Sequence, residues 1–261
     1  MRPGLPIKPM LANSSKSISE ILKRFEDIDI SCEYKYDGER AQIHCDSNGK
    51  ITIFSRNQEN STSKYPDIVE LASKIAKDGA TFILDSEVVA FDATNSKILP
   101  FQQLTTRKRK NVEHHSIKVQ VCIFAFDVLF LNEVPLVRES YRSRRKLLHE
   151  NFTEIPGKLM FSSFKDVDSV DDIQPFLDEA IRANCEGLII KTLDHSATYE
   201  IAKRSHSWRK LKKDYLDSLG DSFDLVVIGG YFGVGKRSGT YGGYLLACYD
   251  PDEEEYQSIC K

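Results

Sequence analysis

No stretch of about 18 consecutive apolar residues occurs anywhere in the 261 residues, so the sequence offers no helix able to cross a bilayer. Its first residues, Met1-Arg2-Pro3-Gly4-Leu5-Pro6, lack the apolar core of a secretory signal. Cysteine is sparse and scattered. Cys32, Cys45, Cys122, Cys185, Cys248 and Cys260 form no CxxC pair and have no histidine at metal-ligand spacing, which argues against a zinc module or a disulfide framework and for reduced thiols inside a cell. An excess of charge is also lacking. With a formal net charge of −3, total charge points to no polyanionic partner, and any nucleic-acid surface has to come from local groups of Lys and Arg. There is no internal repeat and no low-complexity segment.

What is present is 41% hydrophobic sequence, enough for one large domain and part of another. Short β-rich runs recur at Ser31–Tyr36, Ala41–His44, Ile51–Phe54, Thr81–Phe91, Val119–Phe130 and Glu186–Lys191. Helical periodicity appears between them. Ile68–Ala76 puts Ile68, Leu71, Ala72 and Ile75 on one face, Tyr141–Glu150 is basic, and Val170–Ala183 repeats apolar residues every three or four positions. This order fits an α+β domain of antiparallel sheets flanked by helices better than regular βαβ alternation. After Lys213 the pattern becomes Phe223–Ile228, a glycine-rich turn, Tyr244–Tyr249 and Tyr256–Cys260, three consecutive antiparallel strands. The expected division is residues 1–214 and 215–261. A five-stranded barrel needs more sequence than 215–261 supplies, so the second domain is expected to be only the start of one.

The chemistry centres on Glu33-Tyr34-Lys35-Tyr36-Asp37-Gly38-Glu39-Arg40, a lysine at a strand end followed by Asp-Gly and an arginine. A lysine attacks phosphorus only when neutral. With a reference pKa of about 10.4, roughly one in a few thousand is neutral at pH 7, so nearby cations or a metal must depress it. The sequence supplies Arg40, Lys191, Lys210 and Lys212 as cations and Glu87 and Glu186 as carboxylates able to hold a divalent ion. Taken alone, Lys-x-Asp-Gly-x-Arg reads equally well as a charged β-turn.

The segment Glu33–Arg40 resembles the first motif of the covalent nucleotidyltransferases, the superfamily of ATP-dependent DNA ligases, RNA ligases and mRNA capping enzymes. Further motifs follow in the family's order: Phe82–Glu87, Phe124–Asp127, Glu186–Lys191 and Trp208–Lys213. Phe54–Glu59 and Thr105–Lys110 are similar to the eukaryotic type I DNA ligases in particular, a likeness that runs from Pro6–Leu11 to the last residue.

The resemblance implies a nucleotidyltransferase (ATP-grasp-like ligase) domain over 1–214, the start of an OB-fold barrel over 215–261, ATP as cofactor with AMP covalently on Lys35, and Mg2+. It implies that Glu33 faces the adenine amine and that Phe126 stacks on the base. Arg40 and Arg56 would bind ribose and phosphate oxygens with their forked guanidinium groups. Glu87 and Glu186 would hold Mg2+, Lys191 a phosphate, and Lys210 and Lys212 the charge developing on the α-phosphate. Each has a plainer reading as well: Glu87 as a paired buried acid, Phe126 as core, Lys191 as a solvated strand end. Arg209 stands where close relatives usually carry an apolar residue.

The family's cycle charges Lys35 with AMP, passes AMP to the 5′-phosphate of a nick and seals the strand with the 3′-hydroxyl. Nicked duplex DNA is therefore the expected partner, with a sliding clamp reached through regions outside this sequence, no membrane, a monomeric state and a nuclear location. The family's motif that orients pyrophosphate and its separate helical DNA-binding domain are not found here. The competing readings are a GTP-using capping enzyme or an RNA ligase, or a non-catalytic nucleic-acid clamp. The basic groups Arg107–Lys110 and Arg142, Arg144, Arg145 and Lys146 are candidate DNA-backbone contacts or solvated faces. Gly230–Lys236 has P-loop spacing, but Arg237 stands where Ser or Thr is needed. A glycine-rich hairpin, with Lys236 and Arg237 touching DNA, is the expected structure there.

Overall fold

The computed structural model describes the chain except residues 73, 77, 78, 109, 168, 214–224, 251 and 252 and the side chains of residues 170 and 236. It divides into two units, Met1–Asp217 and Ser218–Lys261. The first carries strands β1 (Leu11–Ser15), β2 (Ile30–Lys35), β3 (Glu39–Cys45), β4 (Ile51–Ser55), β5 (Phe82–Asp92), β6 (Lys97–Ile98), β7 (Val121–Leu131), β8 (Val134–Pro135), β9 (Leu159–Phe161), β10 (Phe164–Val167), β11 (Gly187–Thr192) and β12 (Arg204–Lys212). Its helices are α1 (Ile18–Arg24), α2 (Pro66–Ala72), α3 (Phe101–Thr105), α4 (Tyr141–Asn151) and α5 (Ile173–Arg182).

Two sheets result. One runs β1-β12-β11-β2-β10, the other β4-β3-β5-β7-β8 with β6 on β5 and β9 on β7. All pairings are antiparallel except β1 with β12 and β7 with β9. This is the α+β arrangement read from the sequence. Strand β12 and the short strands β1, β9 and β10 went unassigned there, and helix α2 ends at Ala72, before the expected Ala76.

Strand alternation explains how each sheet is sided. Cys32 and Tyr34 on β2, Leu188 and Ile190 on β11 and Leu211 on β12 share a core with Ile21 of α1 and Ile173, Phe176, Leu177 and Ala180 of α5. The apolar residues of α5 recur at one-turn spacing, which is why this helix lies flat on the sheet. Helix α1 starts on a reciprocal cap. Ser17 Oγ accepts the Glu20 N–H at 3.2 Å, and Glu20 Oε2 accepts the Lys16 N–H at 2.9 Å. In the other sheet Phe82, Leu84, Val88 and Ala90 of β5 enter a core with Ile123 and Ala125 of β7. The alternate residues of β5 face the opposite way, with Ile83 and Val89 in other cores and Asp85 and Glu87 between them.

Helix α4 carries a basic sequence, yet two of its arginines point inward. Arg144, with no exposed side-chain surface, grips Asp127 at 2.8 and 2.9 Å and donates to the Glu139 and Ala197 carbonyls. Arg145 binds Asp166 and Ser31. Arg107, from the other basic group, is buried against Asp67, Lys64 O and Val119 O. These three are structural, which corrects their reading as DNA contacts; a strong positive charge turned inward finds a carboxylate and carbonyls to satisfy it. Arg109 lies outside the described residues.

The second unit is an antiparallel sheet of β13 (Val226–Phe232), β14 (Tyr241–Asp250) and β15 (Glu255–Cys260) in that order. The P-loop-like segment closes the β13–β14 hairpin, with a short turn at Gly235–Arg237 and the Gly233 N–H bound to Thr240 O at 2.8 Å; no helix follows it. Residues 223–224 of the first expected strand and the Lys236 side chain lie outside the described residues.

His44, on β3, is fully buried. Its Nδ1 accepts the Gly4 N–H at 3.1 Å and its Nε2 faces Gln42 Oε1 at 3.1 Å, a pattern satisfied by the neutral ring alone. Burial lowers its pKa from 6.5 to about 4. Between those pH values the unfolded chain takes up a proton that the folded one refuses, so stability is lost as pH falls. Unfolding by urea should show a loss approaching ~3 kcal/mol from this group between pH 7 and pH 4. His44→Gln should flatten that part of the slope, and an unchanged slope would assign it to other groups.

Candidate active site

The two sheets of the first unit face each other across a cleft of about 510 Å3. Its walls follow from the alternation described above. Glu33 and Lys35 of β2, Ile189 and Lys191 of β11, and Trp208, Lys210 and Lys212 of β12 project from one sheet; Arg40 of β3, Glu87 of β5 and Phe126 of β7 come from the other. Arg56, Asn57 and Glu59 close the rim. Every residue nominated from the sequence as a nucleotide or metal contact therefore lines one cavity.

Two glycines permit the close approaches that shape it. A Cβ on Gly38 would lie 2.2 Å from the Val88 carbonyl oxygen, so the turn after Lys35 crosses β5 only with glycine there. Gly187 has φ +146°, and a Cβ on it would lie 2.1 Å from the Leu211 carbonyl oxygen. Because Gly187 pairs with both Lys35 and Lys212, it brings β2 and β12 to either side of Glu186.

Glu186 is the hub of one end of the cleft. Lys35 Nζ donates to its Oε1 at 2.8 Å, Lys212 pairs with its Oε2, and its own N–H donates to the Lys35 carbonyl at 2.8 Å. Burial works to raise its pKa, but hydrogen bonds from Lys212 and Lys35 outweigh that and hold it below the ordinary carboxylate range. Lys210 is shifted down by burial and by Lys212, Arg204, Lys35 and Arg56 around it. Three lysines gathered around one carboxylate make this the cationic end of the cleft, suited to oxyanions.

The other end suits a planar base. Phe126 packs edge-on to Trp208 with ring centroids 6.3 Å apart, and Lys191 Nζ sits 4.7 Å from the centroid of each ring. Lys191 does not stand with Lys35. It is buried and donates to Glu33 Oε2 at 2.7 Å, with its pKa drawn down by burial against the pull of Glu33. Lys191 sits four pairs along the β2–β11 ladder from Gly187, which places its ammonium group with Glu33 instead of with Lys35. Arg40 is also largely committed. It forks onto Asp85 at 2.9 and 2.6 Å and donates to the Met10 carbonyl at 2.7 Å, leaving little of its guanidinium free for a ribose. Sequence reading passed over Asp85, Trp208 and Tyr141. The alternation of Trp208 with Lys210 and Lys212 was the available signal for one of them.

Among the described residues no cluster of three or more His, Cys, Asp or Glu side chains forms a ready metal cage. Glu87 and Glu186 nevertheless suit an ion that arrives with phosphate oxygens, since Mg2+ commonly takes only one or two protein carboxylates. Burial pushes the Glu87 carboxyl up to about 8 against the pull of Lys35 and Arg40, and Asp85 and Glu186 add to the rise. A carboxyl under that load is suited to an incoming cation.

A cationic end, an aromatic end and a lysine between two facing sheets give a cleft suited to a nucleotide. Residues 9–212 match the family described as ATP dependent DNA ligase domain, and the chain belongs to that family. DNA ligase 1 of Drosophila melanogaster is 57% identical over 262 residues, covering 100% of this chain and 35% of that protein. DNA ligase 1 of Arabidopsis thaliana is 57% identical over 259 residues, covering 99% of this chain and 33% of that protein. The chain thus spans about a third of the length of these curated relatives. The fold is shared with mycobacterial DNA ligase D complexed with ATP and MES, at TM-score 0.61 and 23% identity, over 97% of this chain and 72% of that one.

Gly187→Ala should force β11 away from β12 and pull Glu186 off its lysines. The expected cost in urea unfolding exceeds ~1 kcal/mol, since both the φ and the space are wrong for a Cβ. A variant as stable as the parent would show that this approach is not tight.

Proposed function

We propose that this chain is the nucleotide-charging core of an ATP-dependent DNA ligase acting on nicked duplex DNA, with residues 215–261 contributing the start of an OB-fold barrel. The observation that carries the reading is the convergence of Lys35, Glu186, Lys210 and Lys212 at one end of a cleft whose other end holds Glu33, Phe126 and Trp208. Eukaryotic relatives that share half or more of its residues are DNA ligases by name, which supports DNA over a capping or RNA-joining role and, with it, a nuclear location.

In the first step the Lys35 Nζ lone pair attacks the α-phosphorus of ATP and the bond to pyrophosphate breaks, leaving AMP on the amine. Paired with Glu186, Lys35 is an ammonium group with no lone pair, so one proton must leave Nζ for solvent before the attack. Lys210 and Lys212 then neutralise the charge gathering on the α-phosphate oxygens. Mg2+ bound with the triphosphate through Glu87 and Glu186 would supply further neutralisation of the leaving pyrophosphate. Arg56, at the rim, is placed to meet ribose or phosphate, and Phe126 to stack on the base. In the later steps a 5′-phosphate oxygen takes AMP from Lys35, and the 3′-hydroxyl of the nick displaces AMP as the phosphodiester forms.

Transfer of α-phosphate-labelled ATP to the protein with Mg2+ tests the reading. Label is expected from ATP and not from GTP, none on Lys35→Ala, and a rate about 100- to 1,000-fold lower for Lys210→Ala. If protein shown by mass to be free of AMP takes no label, the charging function fails. Sealing of pre-adenylated nicked DNA then separates a chain that catalyses only the last step from one that merely binds.

A further inference from the structure

Glu33 is held from two sides by groups that do not belong to its own strand. Lys191 donates to Oε2 at 2.7 Å, and the Tyr141 hydroxyl donates to Oε1. Lys191 also donates to the Tyr141 oxygen at 3.2 Å, so the three side chains close a ring of hydrogen bonds. The same hydroxyl lies 3.1 Å from the Phe126 carbonyl oxygen, which ties the ring to the strand that carries the aromatic. All three are buried, with 1–2% of each residue exposed.

Tyr141 is rigidly mounted. It opens α4 directly after the cap residue Ser140, whose Oγ accepts the Ser143 N–H at 3.3 Å. One turn on, Arg144 and Arg145 anchor the helix to Asp127 and to Asp166, and their guanidinium carbons lie 5.5 and 5.6 Å from the Tyr141 ring centroid. The hydroxyl is therefore set by a helix pinned at several points, not by a loop.

A carboxylate paired with an ammonium group is an acceptor only. The 6-amino group of adenine donates and suits it; the 6-oxo group of hypoxanthine or guanine accepts and is repelled. Lys191 is the opposite, a donor only, and its spare N–H would welcome a 6-oxo group if Glu33 swung aside. Which of the two faces the base depends on what keeps the Glu33 side chain from swinging into another rotamer, and the Tyr141 hydroxyl holds the oxygen that Lys191 does not.

We infer that Tyr141 is a positioning residue for nucleobase choice: with Lys191 it locks Glu33 as the acceptor at the base end of the cleft, favouring a 6-amino purine over a 6-oxo purine. This rests on the nucleotide-charging reading above. Loss of the hydroxyl frees Oε1, lets Glu33 turn and brings the Lys191 ammonium within reach of a 6-oxo group.

The test is labelling of Lys35 from ATP and from ITP, which changes only the 6-position and its adjoining ring proton, in the parent, Tyr141→Phe and Tyr141→Leu. The parent should favour ATP strongly. Either variant should lower the ATP-to-ITP ratio of kcat/KM about tenfold or more, chiefly through a higher KM for ATP and a lower one for ITP. A packing defect would slow both nucleotides alike and leave the ratio in place, so a parental ratio in folded variants overturns the inference while the charging function stands. Loss of fold in both variants would make the hydroxyl a structural group and overturns it too. A parent that takes no label from ATP ends both readings.

Discussion

Lys35, Lys210 and Lys212 cannot share a cleft of this size without a carboxylate among them, and Glu186 is that carboxylate. It directly precedes Gly187, whose backbone lies against Leu211 of β12, and its two oxygens are divided between Lys35 and Lys212. Much else in the first unit serves this arrangement. The glycine lets β11 and β12 close up, the β2–β11 ladder fixes Lys35 opposite, and α1 and α5 cover the far face so that the polar face is left for the cleft. The same ion pair that assembles the site also occupies Lys35, the lysine proposed to take AMP.

The sequence was a good guide wherever chemistry and periodicity coincided. Lys35, Glu87, Glu186, Lys210 and Lys212 were each nominated from motifs, and all line the same cleft. Long strands such as β5 and β7, apolar on both faces, were legible because burial on two sides leaves a continuous apolar run. Strand β12 was not, since Arg204–Lys212 is polar and charged and holds no apolar run. Its lysines and tryptophan face the cleft while Arg209 turns the other way to meet Ser15 and Glu20. The apolar residue expected at that position is thus replaced by a charge that finds its own partners on β1 and α1.

Partners distant in sequence account for what could not be read. Nothing local distinguishes the basic residues of α4 that face inward from those that face water: Arg144 and Arg145 are buried because Asp127 and Asp166 wait for them, whereas Arg142 remains exposed with Asp29 and Asp194. Arg40 was expected to hold a ribose, but Asp85 and Met10 claim most of its donors. For Arg144 and Arg145 the residue type was read correctly and the orientation was not, since orientation depends on a carboxylate elsewhere in the chain.

The short N-terminal stretch gives the unit a particular order of assembly. Ile7 is bound through Gln42, the Met10 carbonyl caps Arg40, the Met10 N–H reaches the Tyr199 hydroxyl at 3.1 Å across 189 residues, and β1 lies parallel to β12. The start of this unit is thus fastened by residues near the unit's end. A chain leaving the ribosome at about 5–20 residues per second would wait on the order of ten seconds or more between synthesis of Met10 and the arrival of its final partners. Until then the wall made by Trp208, Lys210 and Lys212 is missing, so the cleft is complete only when nearly all of the first unit has been translated.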